Sequence, residues 1–253
     1  MTRVPILMYH AVDDSPAGAC VHPHRFAEQL AYLKRAGYQT IHLDELYGSL
    51  IHGSALPAKP LVITFDDGYR DNLQVAWPLL RQAGFKATIF LATGHLGSSN
   101  RWNAADGVPQ RPLLDWDEVI EAAREPQLSF QPHTHSHPRL TRIPPAQADE
   151  ELRRSKETLE QRLGKACPHL AYPYGDYNRA VRDLAEQAGY HTACTVQWGH
   201  NRAGQDPLAL FRIGIRNQDR LADFKKSLGE PPPLWKYYWL RAKQFGRGEP
   251  SRS

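Results

Sequence analysis

The same three-residue pattern ends three helix-like segments of this 253-residue chain and begins the strand-like segment that follows each one. It reads Ala36-Gly37-Tyr38, Ala83-Gly84-Phe85 and Ala188-Gly189-Tyr190. A glycine after a helix adopts the left-handed conformation at little steric cost, and the aromatic residue favours a strand. Because the spacing is irregular, the pattern indicates junctions of one α/β architecture and not a solenoid repeat.

Strand-like and helix-like segments alternate along the chain, which predicts a parallel sheet, open or closed into a barrel. Strands are expected at residues 4–9, 38–43, 61–65, 86–92, 128–131, 169–172, 191–196 and 211–215. Helices are expected near residues 25–36, 44–50, 72–83, from 115 onward, 144–163 and 179–188. Active sites of such folds lie at the carboxyl ends of the strands.

Composition restricts the class of protein. The length suits one large domain, and a net charge of +4 spread along the chain argues against a nucleic-acid platform. Cys20, Cys167 and Cys194 form no Cys-x-x-Cys pair, so we expect buried reduced thiols and not a disulfide framework or thiolate zinc site. No secretory signal or apolar run of about 18 residues is visible, from which we expect a cytoplasmic protein.

Two adjacent carboxylates, Asp66 and Asp67, follow an apolar, β-branched run at residues 61–63. Like charges this close repel each other, and each loses water on burial, so stability alone does not explain the pair. A metal ion or a catalytic role would resolve the conflict. A solvated Asp-Asp-Gly turn is the alternative.

Three histidines, His133, His135 and His137, follow the predicted strand 128–131. One helical turn would align the first and last, whereas an extended backbone would align all three, so spacing alone leaves the ligand pair open. A solvent-exposed loop is also compatible. One carboxylate and two imidazoles would make a three-ligand site typical of catalytic zinc. The second carboxylate would then be free to accept a proton from water.

Other loops and strand ends carry further candidates. Tyr174 lies in a Pro-Tyr-Gly turn that could aim its backbone N–H at an oxyanion, although an ordinary turn is the alternative. His10 follows the first strand and is either an acid or base or a packed core histidine. Trp102 lies in the loop 93–112, which is rich in Gly, Ser, Asn and Pro, and is either part of a substrate wall or of a surface loop.

Three motifs, in this order, resemble those of the polysaccharide deacetylases, the NodB-homology group also called carbohydrate esterase family 4. They are Thr64-Phe65-Asp66-Asp67-Gly68, His133-Thr134-x-x-His137-Pro138 and Tyr172-Pro173-Tyr174-Gly175. The opening Ile6-Leu7-Met8-Tyr9-His10 is similar to the branch that includes poly-N-acetylglucosamine deacetylases, where the catalytic histidine motif is N-terminal. The segment 114–118 resembles the helix before the histidine motif in that branch.

The resemblance covers roughly residues 4–215 and implies a distorted (β/α) barrel with about seven parallel strands. We expect this domain to occupy residues 1–245, followed by a disordered tail at 246–253. The resemblance also implies one divalent metal ion, zinc by default, with cobalt, nickel, manganese or iron also possible in such a site. The implied roles are Asp66 as general base, Asp67, His133 and His137 as metal ligands, Tyr174 as oxyanion donor and His10 as general acid.

The chain departs from the family at Ala171, where an arginine often holds the catalytic aspartate. We propose Arg212, on the predicted strand 211–215, as the replacement, with Arg70 as second choice. We also group Arg212 with Trp102 as expected substrate-binding residues.

An N-acetylated saccharide is the implied substrate. O-acetyl esterase activity and a non-catalytic carbohydrate-binding protein are the alternatives, and the retained base and ligands favour an enzyme. Aromatic and basic residues at 234–241 favour packing across the barrel, with contact to a membrane as the alternative. At the inner membrane face, a cytoplasmic enzyme would meet sugar nucleotides or lipid-linked saccharides. The oligomeric state is not predicted.

Overall fold

The computed structural model describes residues 2–15, 19–102 and 109–229, and this part contains nine strands and seven α-helices. The strands are β1 (Val4–Tyr9), β2 (Gln39–Thr40), β3 (Pro60–Phe65), β4 (Ala87–Leu91), β5 (Leu128–Pro132), β6 (His169–Ala171), β7 (Thr192–Cys194), β8 (His200–Asn201) and β9 (Ile213–Gly214). The helices are α1 (Pro23–Arg35), α2 (Leu43–His52), α3 (Trp77–Ala83), α4 (Trp116–Ala122), α5 (Pro145–Leu163), α6 (Arg179–Gln187) and α7 (Leu221–Ser227). The predicted tail and the aromatic segment 234–241 lie outside the described residues.

Seven strands form the central sheet. Its order is β5-β4-β3-β1-β8, with β2 also paired to β3 and β9 also paired to β1. Only β8 among these strands runs antiparallel to its neighbour, and β6 and β7 form a separate parallel pair. The predicted α/β fold with a mostly parallel sheet is therefore confirmed.

The strand pair β6-β7 connects to the central sheet on both sides and gives a distorted ring. After β7, the chain folds back beside this strand, where Leu210 N donates to Ala193 O. It then forms β9, which pairs with β1 of the central sheet. No backbone ladder joins β5 and β6 in the described part of the chain. Instead, His169 N donates to the Gln131 side-chain oxygen at 3.0 Å. A ring in which a side-chain hydrogen bond bridges the gap between β5 and β6 agrees with the expected distortion of the barrel.

The helix-to-strand junctions lie where the repeated pattern predicts them. Gly37, Gly84 and Gly189 follow α1, α3 and α6 with φ of 77°, 77° and 79°, the left-handed region. The predicted start of α4 is also confirmed, since Asp115 accepts from Glu118 N and Glu118 accepts from Asp115 N, both at 2.9 Å. Local sequence therefore determines where these helices begin and end.

Several elements differ from their predicted bounds. The strand expected at 38–43 shortens to β2, because His42 already serves as the N-cap of α2. The helix expected at 72–83 begins with a π-helical turn at Asn72–Ala76, in which Trp77 N donates to Asn72 O. Pro78 has no N–H and crowds the preceding turn, which accounts for this interruption. Strand β8 and helix α7 were not predicted.

Burial agrees with the expected state of the cysteines. Cys20, Cys167 and Cys194 are buried and unpaired, and burial raises the pKa of each thiol to about 12. All six residues of β3 are also buried. Among the described residues, no helix combines the length and the apolar character needed to cross a bilayer.

Candidate metal centre and active site

The predicted site residues converge on one cavity at the carboxyl ends of the strands. β1 ends before His10, β3 before Asp66 and Asp67, and β5 before His133, and all four side chains line the cavity. Parallel pairing places these ends side by side, with Tyr9 opposite Phe65 and Leu91 opposite Pro132. The sheet register therefore brings together side chains that are far apart in the sequence.

The backbone around the cavity adopts conformations that are rare for residues with a side chain. Among the described residues, the non-glycine positions with positive φ are Asp67 (74°), Thr134 (64°), His137 (61°) and Tyr174 (60°). Each such conformation costs on the order of 1–3 kcal/mol and persists only when its surroundings enforce it. Their concentration at this cavity indicates a functional site.

Asp67, His133 and His137 form a buried set of potential metal ligands. Asp67 Oδ1 lies 3.6 Å from His133 Nε2 and 3.2 Å from His137 Nε2, and one ligand atom from each residue lies within 4.8 Å of the others. His133 Nδ1 donates to Ala171 O at 2.6 Å, which leaves Nε2 with its lone pair directed toward Asp67. One carboxylate and two imidazoles suit a divalent metal ion.

His135 is not part of this set. Its Nδ1 lies 3.1 Å from Thr93 Oγ1, away from the carboxylates. The structure therefore selects His133 and His137, a choice that spacing alone left open.

The charges of the ligand set favour metal binding. Burial would raise the pKa of Asp67, but His137 and the neighbouring histidines lower it well below its usual range. Burial is the main reason why the pKa of His133 falls to about 4; the Asp66 charge opposes this decrease, and His137 adds to it. An ionised carboxylate beside a neutral imidazole is the protonation state in which these groups bind a metal.

Asp66 has different partners from Asp67. Arg212 Nη1 donates to Asp66 Oδ1 at 2.6 Å, and Nη2 donates to Oδ2 at 2.7 Å. The same guanidinium bonds to Thr195 O at 2.8 Å and to Thr64 Oγ1 at 3.2 Å. Burial would raise the pKa of Asp66, but Arg212 and His133 lower it overall. Asp66 is thus held ionised and in a fixed orientation.

Arg212 is where the sequence argument placed it, beside Asp66, but its grouping with substrate-binding residues does not fit. The side chain is 0% exposed and does not line the cavity, so it can act on a substrate only through Asp66. The second choice, Arg70, lies elsewhere and pairs with Asp115 at 3.2 Å and Glu118 at 3.0 Å.

His10 and Tyr174 line the cavity together with the candidate ligands. The Tyr174 ring meets His137 edge-on at 4.8 Å between centroids. Trp102 does not line the cavity; its indole stacks on the His137 ring at 4.6 Å between centroids with an interplanar angle of 24°. A substrate contact by Trp102 therefore stays a prediction, and its observed contact is with a candidate ligand.

Residues 53–193 match the family model described as polysaccharide deacetylase, which is more than half of the chain. The chain belongs to the polysaccharide deacetylase family. The matched stretch contains Asp66, both candidate histidine ligands and Tyr174, whereas His10 and Arg212 lie outside it.

Two sets of curated relatives of this family are similar in sequence. The putative polysaccharide deacetylase YxkH of Bacillus subtilis (strain 168) is 30% identical over 213 residues, covering 84% of this chain and 71% of YxkH. A poly-beta-1,6-N-acetyl-D-glucosamine N-deacetylase of Staphylococcus aureus (strain N315) is 25% identical over 177 residues, covering 67% of this chain. The match covers only 58% of the staphylococcal protein, less than two thirds of its length.

Solved deacetylase structures share the fold. The Streptococcus pyogenes deacetylase PplD, in complex with acetate, superposes with a TM-score of 0.78 and 29% identity over 90% of this chain and 99% of PplD. IcaB from Ammonifex degensii gives the same TM-score of 0.78 at 22% identity over 90% of this chain and 97% of IcaB, a likeness of fold alone.

Two polar residues of the cavity in this deacetylase-family chain, Tyr69 and Arg111, were not predicted from the sequence. Tyr69 lines the cavity together with Asp67, and burial, followed by the charge of Asp67, raises the pKa of Tyr69 well above its usual range. Arg111 is buried and pairs with Asp13, Nε to Oδ2, at 2.8 Å. Tyr69 follows Asp67 by two residues, so a search of the turn itself would have found it. No local signal identifies Arg111.

Tyr69→Phe is expected to weaken zinc binding by about 10-fold, the lower limit for loss of a polar neighbour that supports a metal ligand. The phenyl ring keeps the packing but removes the polar hydroxyl group that interacts with the Asp67 charge. Competition with a chromophoric chelator measures the affinity. Tyr190→Phe is the control, because it removes a buried hydroxyl that bonds to Leu152 O away from the cavity. Equal affinities of Tyr69→Phe and wild type would contradict the assignment.

Proposed function

We propose that this chain is a metal-dependent hydrolase that removes an N-acetyl group from an amino sugar of a glycan or glycoconjugate. The observation that supports the proposal most directly is that the two adjacent carboxylates have different partners. Asp66 faces a buried guanidinium, whereas Asp67 faces two imidazoles, and both line one cavity. One carboxylate is thus suited to proton transfer and the other to binding a metal.

Asp67, His133 and His137 would hold the divalent ion, for which zinc is our first choice. Such an ion acts as a Lewis acid that lowers the pKa of water and polarises a carbonyl oxygen. With three protein ligands, such an ion would keep a coordination position for water or substrate, as in catalytic zinc sites.

The remaining residues supply proton transfer and stabilise charge. Asp66 accepts a proton from the water that attacks the acetamide carbon. The backbone N–H of Tyr174 stabilises the negative charge that develops on the carbonyl oxygen, a contribution on the order of 3 kcal/mol for one such donor. His10 donates a proton to the nitrogen as the carbon–nitrogen bond breaks. The products are acetate and a free amine.

The substrate is inferred from the relatives. The N-deacetylase name of the staphylococcal relatives supports removal of N-acetyl groups, while the same arrangement of residues would serve an O-acetyl esterase. Sugar, linkage and chain length are therefore variables for experiment.

Acetate release across a panel of matched substrates tests the proposal. The panel contains β-1,4- and β-1,6-linked N-acetylglucosamine oligomers, UDP-N-acetylglucosamine and an O-acetylated oligosaccharide, each assayed with zinc and with chelator. We expect acetate and an equal amount of free amine from an N-acetylated member. Acetate from the O-acetylated member alone would make the chain an esterase. Saccharide binding without any acetate release would make it a carbohydrate-binding protein.

A further inference from the structure

The loop that carries both candidate histidine ligands is strained and needs support. Thr134 and His137 have φ of 64° and 61°, and His137 N donates to Thr134 Oγ1 at 3.1 Å. This bond closes the loop on itself but does not connect it to the rest of the protein. Contacts from neighbouring elements must therefore keep His137 facing Asp67.

The segment that follows β4 supports one side of the loop. Gly94 N donates to His135 O at 2.8 Å, and Thr93 N donates to Thr134 O at 3.2 Å. A Cβ at Gly94 would lie 2.8 Å from His135 O, so the backbones are in close contact there. These bonds engage the carbonyl groups of the loop and leave its N–H groups to other partners.

Glu151, on α5, supports the other side. Its Oε2 accepts from His135 N at 2.9 Å and from Ser136 N at 2.7 Å, and its Oε1 accepts from Ser136 Oγ at 2.5 Å. The residue is 7% exposed and forms no ion pair with any Lys or Arg in the described ranges. A buried carboxylate without a cation is costly unless it is fully hydrogen-bonded, and here the loop supplies those bonds.

We propose that Glu151 is a positioning residue that sets the metal affinity of the site. It fixes His135 and Ser136, two of the three residues between the ligands, so that His137 Nε2 stays 3.2 Å from Asp67 Oδ1. Glu151 itself does not contact the ligand atoms. This inference rests on the proposed function, because it concerns the same metal centre.

Two conservative variants separate positioning from charge. Glu151→Gln keeps the length of the side chain; its oxygen can accept both backbone N–H groups, while its amide donates to Ser136 Oγ. Glu151→Asp keeps the charge but is one methylene shorter and cannot reach all three donors. Glu157→Gln is the control, since it changes an exposed carboxylate on the same helix.

The measurement is zinc affinity of the metal-free proteins by chelator competition, together with their thermal unfolding without metal. We expect Glu151→Asp to bind zinc about 10- to 100-fold more weakly than wild type, as for other supports of metal ligands. Glu151→Gln should lie between that value and wild type, and Glu157→Gln should equal wild type.

Three outcomes would overturn the inference. If Glu151→Asp unfolds at a lower temperature but binds zinc as wild type does, the residue is only structural. If Glu151→Gln binds more weakly than Glu151→Asp, charge and not reach is what matters. If wild type binds no zinc, the proposed metal centre fails and the role of Glu151 fails with it.

Discussion

Asp66→Asn is expected to lower kcat by about 10²- to 10⁴-fold, the usual contribution of a general base. Asparagine has nearly the same size and can still accept from Arg212, but it cannot accept a proton from water. Among the described residues that line the cavity, the other carboxylate is Asp67, which faces the two histidines. Within the described part of the cavity, no other carboxylate is therefore available to replace Asp66 as the base.

The control measurements for Asp66→Asn separate chemistry from damage to the site. Zinc affinity should equal that of wild type, because the ligand set is intact. Asp176→Asn changes a carboxylate that bonds to exposed Thr141 and should keep full activity. Acetate release by Asp66→Asn at a near wild-type rate would remove Asp66 from the role of base.

Arg212→Ala is expected to reduce both stability and activity. The guanidinium is fully buried and forms two hydrogen bonds with Asp66, so its removal leaves a buried carboxylate without its counter-ion. Breaking such a pair from one side typically costs about 3–5 kcal/mol of unfolding free energy. Urea denaturation of the metal-free protein measures this loss.

The pH dependence of the Arg212→Ala variant has a defined direction. Arg212 lowers the pKa of Asp66 against the effect of burial, so its loss raises that pKa. The base is then protonated over a larger part of the acidic range, and the acidic limb of the kcat/KM profile moves to higher pH. Wild type keeps Asp66 ionised down to a lower pH.

Arg70→Ala is the matched control for Arg212→Ala. Arg70 is half-buried and pairs with Asp115 and Glu118, so its loss should cost about 0–1 kcal/mol and leave turnover intact. Unchanged turnover in Arg212→Ala together with loss of turnover in Arg70→Ala would show that the wrong arginine was chosen.

The parts of the fold that local sequence controls could be predicted. Glycines after helices and the Asp115–Glu118 capping box mark element ends because their effect is confined to a few neighbouring residues. Strand β8, which has two residues, is defined by its pairing with β1 and carries little periodic signal of its own.

The residue types of the site could be predicted from their chemistry. The choice among candidate residues could not, because it depends on contacts between distant parts of the chain. Two adjacent carboxylates and three nearby histidines suggested a metal, but the choice of His137 over His135 depends on positive φ values and on Glu151. Arg212 lies 146 residues from Asp66, and its selection as the replacement for the missing family arginine depended only on its position on the predicted strand 211–215.

Trp102 illustrates the limit of reasoning from residue type. An indole in a loop near a proposed saccharide site suggested a substrate wall, since aromatic faces suit sugars. The structure stacks this ring on His137, a contact that only the tertiary structure reveals, and the substrate contact stays a prediction.

Removal and return of the metal test the central claim most directly. The purified protein is stripped with a chelator, dialysed, titrated with zinc, and assayed for acetate release on the best N-acetylated substrate at each addition. We predict no activity without metal and a rise that saturates at one zinc per chain. Full acetate release by protein shown by elemental analysis to hold no metal would contradict a metal-dependent deacetylase.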